Sequence, residues 1–225
     1  MKRAIYACDV GSTRAGNFGW VRVEPDTPKE IKGCSDICAL VTKIKEDLEH
    51  GYSIALGFEA PLFIPVPQSA DDLSRGRQGE GNRPFSAQAG AYVTTLSMHQ
   101  AAWVLREIYC SCGGTCTFML NPQDWSPNKS RPILFCWEAF VAGSSKGEGG
   151  KQSHIQDAAT AAMAFLRREE DLINSNAVTV EHPFSLIGAA ALWSGWSTDL
   201  KILHHDQTLV IKPSKPYEES IDSIG

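Results

Sequence analysis

Two apolar segments separated by a helical pattern constrain the fold most strongly. Residues 4–9 and 53–58 are rich in strand formers, and between them apolar residues recur at helical spacing from Ser35, a plausible N-cap, to Gly51. A helix between two strands lets the second strand lie parallel to the first. Residues 18–23 alternate like a strand and predict an antiparallel hairpin with the first segment.

The same alternation continues along the chain and predicts an α/β fold. A second long helix is expected over 86–109, and strands are expected over 117–120 and 133–137. Ser153 and Gln156 form a capping-box pattern that predicts a helix to about residue 168, with Asp157 in its first turn.

Composition favours one folded domain. Of 225 residues, 43% are hydrophobic and 21% are charged, as in globular proteins. We expect a single domain over 1–225, with a long irregular loop at about 61–85 and a C-terminal extension from about 177. No apolar run approaches the ~18 residues of a membrane span, and the first apolar run reaches Asp9 too soon for a signal peptide. We therefore expect a cytoplasmic protein without a membrane partner.

The cysteines and glycines exclude several common kinds of site. Seven cysteines, an odd number without a secretory signal, favour reduced thiols, and Cys8 and Cys136 lie in apolar runs that predict packing roles. The other five lack the paired Cys-x-x-Cys knuckles of a strong zinc site. Gln152 follows Gly150-Lys151, which breaks the phosphate-loop pattern, and there is no Gly-x-Ser-x-Gly elbow.

Three acids occupy positions that suit a divalent cation. Asp9 and Glu59 end two strands predicted to be parallel, and open α/β sheets bind ligands at the carboxyl ends of their strands. Asp157 lies on an alanine-rich helix that can approach the sheet closely. Mg²⁺ prefers such hard oxygen ligands. Asp9 could instead start a turn and Asp157 could favour the positive end of its helix, but Glu59 would be costly to bury unpaired.

Four short motifs carry a resemblance to a known superfamily. They are Cys8-Asp9-Val10-Gly11, Gly57-Phe58-Glu59-Ala60-Pro61-Leu62, Trp137-Glu138-Ala139-Phe140 and His154-Ile155-Gln156-Asp157-Ala158. Together, over residues 4–166, they resemble an uncharacterised family of predicted nucleases in the ribonuclease-H-like superfamily. The superfamily pattern is an Asp-x-Gly ending the first strand, an acid at the tip of a later parallel strand, and an acid in a late helix.

This resemblance implies a ribonuclease-H-like mixed central sheet flanked by helices, and a metal-dependent hydrolase that cleaves DNA, RNA or a small nucleotide. Asp9 would be the central ligand of Mg²⁺ or Mn²⁺, Glu59 and Asp157 the flanking ligands, and Glu138 an auxiliary ligand or base-like group. Two ions about 3.5–4 Å apart can activate water and stabilise the leaving oxygen. The predicted catalytic residues are therefore Asp9, Glu59, Glu138 and Asp157.

Basic residues near these acids are candidates for gripping substrate phosphates. The net charge of −5 argues against a generally cationic nucleic-acid surface but allows a local basic groove. The candidates are Arg75, Arg77, Arg83, Lys146, Lys151 and His154. An ordinary solvated loop remains the alternative for the arginines and lysines, and a solvent-facing role remains the alternative for the histidine.

Two other functions fit parts of the sequence. Asp9-Val10-Gly11-Ser12-Thr13 also resembles the first phosphate loop of sugar-kinase and actin-like ATPases, although those proteins need two lobes and 225 residues supply barely one. A non-catalytic domain that binds nucleic acid or protein is the third possibility. A homo-oligomer is compatible with all three.

Overall fold

The computed structural model describes residues 2–73, 75–81, 84–126, 130–142, 145, 151–206 and 208–224. The strands are β1 Arg3–Asp9, β2 Gly19–Val23, β3 Lys32–Cys34, β4 Ser53–Glu59, β5 Phe63–Pro65, β6 Thr117–Met119, β7 Ile133–Ala139, β8 Pro183–Ser185, β9 Val210–Ile211 and β10 Asp222–Ser223. The α-helices are α1 Ile37–Glu49, α2 Gln88–Cys112, α3 Lys151–Leu166 and α4 Leu186–Ser194.

Eight strands form a mixed central sheet in the order β10-β3-β2-β1-β4-β7-β6, and β9 also pairs with β7. β2 lies antiparallel to β1, whereas β1, β4 and β7 run parallel to one another. The predicted opening hairpin and the parallel crossover are both confirmed, as is the α/β class. The carboxyl ends of β1, β4 and β7 consequently lie side by side.

Helices cover both faces of this sheet. On β1, Tyr6 and Cys8 join the core cluster that includes residues of α1, α2 and α4, whereas Ile5 and Ala7 join the cluster that includes α3. This alternation follows from the two-residue period of a strand. Cys8 and Cys136 are fully buried, which confirms their packing roles.

Two helices begin at different residues from those predicted. Asp36, not Ser35, caps α1, and its side chain accepts a hydrogen bond from the Cys38 backbone N–H. Helix α3 starts at Lys151, before the predicted Ser153 cap, so Asp157 lies in the second turn. The shift of α1 is small because Ser and Asp are comparable caps, and one cap contributes only about 1 kcal/mol, less than the packing of a buried helix face.

The long loop and the C-terminal region contain short regular elements that the sequence does not predict. β5 lies within the loop and pairs with β8 in a separate two-stranded sheet. β9 and β10 add the C-terminal region to the central sheet. Within the described ranges, no helix is long and apolar enough to cross a membrane.

Candidate functional site

Asp9 and Glu59 end neighbouring strands in matching register. Their Cα atoms are direct partners in the parallel β1–β4 ladder, and this pair is the last in the ladder. The apolar residues before them bury both strands, so each carboxylate is the polar group at the end of a core segment. Asp9 is 5% exposed and Glu59 is 9% exposed.

Asp157 joins these two acids from helix α3. This helix packs against β1 and β2 through Ala158, Ala159, Ala161 and Ala162, all at most 1% exposed. Asp157 is itself 1% exposed. One ligand oxygen from each of Asp9, Glu59 and Asp157 lies within 4.8 Å of the other two. We call these three residues the carboxylate cluster.

A glycine on β2 permits this close approach of α3. Gly19 is the register partner of Asp9 on the hairpin. A Cβ atom at this position would lie 2.6 Å from the carbonyl carbon of His154 and 2.6 Å from the backbone nitrogen of Ile155. Because such distances are forbidden, only glycine lets the first part of α3 lie against the strand.

His154 contacts the cluster directly. Its Nδ1 atom lies 2.6 Å from Oδ2 of Asp9, and its side chain is 27% exposed. An ionised carboxylate accepts hydrogen bonds, so the Nδ1–H form of the His154 ring donates to Asp9 in this arrangement. The structure thus places His154 against a predicted metal ligand, where it orients the Asp9 carboxylate.

Glu138 lies outside the carboxylate cluster and is engaged by Arg77. The guanidinium donates to both Glu138 oxygens, with distances of 2.7 and 2.5 Å, while the Leu62 backbone N–H also donates to Oε2 at 2.9 Å. Arg77 donates through Nε to Glu80 at 2.8 Å. Burial raises the pKa of Glu138, and the Arg77 charge opposes this shift. We call Arg77, Glu80 and Glu138 the buried ionic network.

The remaining basic candidates do not join the carboxylate cluster where the structure describes them. Arg75 is exposed and forms an ion pair with Asp72 at 3.1 Å. Arg83 and Lys146 lie outside the described residues, as does the side chain of Lys151.

Three residues that shape the site have no obvious signal in the sequence. Gln100, in the middle of α2, donates from Nε2 to the Gly11 carbonyl at 2.5 Å and so holds the turn that follows Asp9. Glu80 stands in a glycine-rich loop, and Gly19 lies in the predicted strand 18–23, where nothing nearby in the sequence indicates a packed helix. The close contacts of Gly19 with a helix more than a hundred residues later cannot be read from local pattern.

Mutual repulsion limits the charge that the carboxylate cluster can carry alone. At separations below 4.8 Å, each pair of ionised groups costs roughly 3–4 kcal/mol at an effective dielectric constant of about 20. A bound cation or protonation would relieve this repulsion. Among the residues the structure describes, this is the one group of three or more His, Cys, Asp or Glu side chains with metal-compatible spacing.

Comparisons of the chain with protein-family models, with curated proteins and with solved structures found no match.

Proposed function

We propose that this protein is a divalent-metal-dependent nuclease or related phosphodiesterase with a ribonuclease-H-like fold. The observation that carries the proposal is the meeting of Asp9, Glu59 and Asp157, whose ligand oxygens approach within 4.8 Å at the carboxyl edge of the sheet. These residues come from three separate elements. Turn formation or helix capping would explain Asp9 or Asp157 singly but not their convergence on Glu59.

The topology supports the ribonuclease-H-like part of the proposal. The superfamily pattern requires an acid at the end of the first strand, another at the end of a parallel neighbour, and a third on a late helix. In this chain β1, β4 and α3 supply them in that order, and α3 packs on β1 and β2.

The donor set suits Mg²⁺ or Mn²⁺. All three candidate ligands are carboxylates, and hard divalent cations prefer oxygen. When bound, such ions can lower the pKa of a water and stabilise charge on a phosphodiester. Asp9, Glu59 and Asp157 would hold the ions, and His154 would fix the Asp9 carboxylate in orientation, as partners of metal ligands commonly do.

Glu138 has a different role in this proposal from the metal ligands. Its carboxylate receives the Arg77 guanidinium and the Leu62 N–H, so it anchors the long loop beside the end of β4. We assign Glu138 and Arg77 as positioning residues. Nucleic-acid phosphates would then be held by the metal ions and by basic groups other than Arg77.

The test is a titration of wild type and Asp9→Asn with Mg²⁺ and Mn²⁺. Calorimetry would follow ion binding, and gel assays would follow cleavage of single-stranded, duplex and hybrid DNA and RNA. Asp26→Asn, in an exposed turn, is the matched control. We expect Asp9→Asn to lose both binding and cleavage while Asp26→Asn retains both.

Other outcomes would redirect the assignment. Cleavage that survives Asp9→Asn would refute the site. Metal-dependent ATP binding without cleavage would favour the phosphotransferase alternative, and nucleic-acid binding without metal binding or cleavage would favour a non-catalytic domain.

A further inference from the structure

A pocket of about 590 Å³ opens beside the carboxylate cluster, and Glu59 belongs to both. Its volume is within the range of ordinary small-molecule sites. The wall is largely apolar and includes two aromatic rings. The larger apolar residues in it are Pro61, Pro84, Phe85, Val93, Phe140 and Val141.

Three chain segments build this pocket. The beginning of α2 packs closely on the loop, since a Cβ atom at Gly90 would lie 2.2 Å from the Pro84 carbonyl oxygen. The end of β7 and the residues after it form another wall. The loop is fixed by the buried ionic network, because Arg77 joins Glu80, which lines the pocket, to Glu138 on β7.

The charges of the lining restrict the ligand. Among the described residues that line the pocket, Glu59 and Glu80 are the charged ones, and both are acids. An anionic phosphate is therefore disfavoured inside. An uncharged flat ring suits the aromatic and apolar walls, and a nucleobase is such a ring.

We propose that this pocket binds the nucleobase adjacent to the phosphodiester held at the carboxylate cluster, with the base packed against Phe85. The inference rests on the proposed function, because Glu59 links the two sites. A base inside the pocket cannot remain stacked in a duplex. The enzyme therefore acts on single strands, on frayed ends, or on a nucleotide turned out of its helix.

The test combines abasic substitutions with variants of Phe85. A series of single-stranded oligonucleotides, each lacking one base near the cleaved bond, would be assayed for kcat/KM in Mg²⁺. We expect removal of the base at one position to reduce kcat/KM of the wild type by on the order of 10-fold or more, as expected for loss of a stacked base. Phe85→Leu should lose a similar factor on intact substrate and become insensitive to that abasic position, whereas Phe85→Trp should remain sensitive.

A binding measurement supplies a second readout. The 5′- and 3′-monophosphates of 2-aminopurine riboside would be titrated with protein in Mg²⁺, because stacking quenches their fluorescence. We expect quenching of one of them by wild type and its loss in Phe85→Leu. Trp193→Ala is the aromatic control, because Trp193 lies away from the pocket. Its ring contacts Arg106, which is 13 residues further along α2 than the pocket residue Val93. This variant should quench the fluorescence as wild type does.

The outcomes separate the two proposals. Metal-dependent cleavage without sensitivity to any missing base, or equal effects of Phe85→Leu on intact and abasic substrates, overturns the base pocket and leaves the nuclease proposal standing. Absence of both metal binding and cleavage in the wild type overturns both.

Discussion

The guanidinium of Arg77 lies fully buried between two carboxylates, although the sequence places it among exposed loop residues. Charged groups are costly to remove from water, and such a network persists because each member satisfies another. The same contacts make the network sensitive to loss of one partner. Removing the cation leaves Glu138 and Glu80 buried without it.

We predict that Arg77→Met lowers the free energy of unfolding by about 3–5 kcal/mol, the usual effect of breaking a buried ion pair. Urea denaturation followed by circular dichroism would measure it. Arg75→Met removes an exposed arginine two residues away and should change stability by less than about 1 kcal/mol. Equal effects of the two variants would contradict the buried network.

Cysteine reactivity gives a second prediction for single residues. Burial raises the pKa of Cys8 and Cys136 and raises that of Cys116 to about 12, so few thiolates form there at pH 8. Iodoacetamide should label the exposed Cys38 and Cys110 first. It should label the buried Cys8, Cys116 and Cys136 only after denaturation. Peptide mass spectrometry of timed samples measures the order. Rapid native labelling of Cys136 would be incompatible with this core.

Among the helices and strands, the approach of α3 to β2 determines where Asp157 lies. Gly19→Ala would place a methyl group 2.6 Å from the helix backbone, so α3 must move. We predict a loss of stability of about 1–3 kcal/mol, as for overpacking, and at least 10-fold weaker Mn²⁺ binding. Calorimetry and thermal unfolding measure the two effects.

Gly114→Ala is the control for this substitution, because a Cβ atom there meets no atom within 4 Å. It should leave Mn²⁺ affinity unchanged. Unaltered affinity in Gly19→Ala would mean that the helix position does not set the geometry of the carboxylate cluster.

The sequence predicts those elements whose burial pattern is local and strong. β1, β4 and β7 are continuous apolar segments, so the strands, the acids at or near their ends and the parallel pairing of β1 with β4 can be predicted. β5 and β8 have three residues each and pair across more than a hundred positions, and no periodic signal of that length exists. The ion pair of Arg77 with Glu138 cannot be predicted either, because the two residues are far apart in the sequence and no periodic pattern links them.

For the protein as a unit, metal binding should be coupled to the free energy of unfolding. An ion that binds only the folded protein adds about 2.7 kcal/mol at 100 times its dissociation constant, or roughly 5–10 °C in Tm for a domain of this size. We predict this gain for wild type in Mn²⁺ and its loss in Asp157→Asn. In EDTA the variant should melt no lower than wild type, because one like charge is removed from the carboxylate cluster.

Differential scanning fluorimetry with and without Mn²⁺ would test this coupling. Asp26→Asn serves again as the exposed control and should gain as much as wild type. A Tm that is indifferent to Mn²⁺ in every variant would argue that the carboxylates hold no ion.

The separation of Asp9, Glu59 and Asp157 along the chain also affects when the cluster can form during synthesis. The opening hairpin of β1 and β2, and then β4, emerge from the ribosome well before α3. At 5–20 residues per second, the interval between Glu59 and Asp157 lasts roughly 5–20 s. A nascent chain of this protein would therefore contain Asp9 and Glu59 for several seconds before Asp157 is added. Any reaction that needs all three carboxylates could not occur until most of the polypeptide had been synthesised.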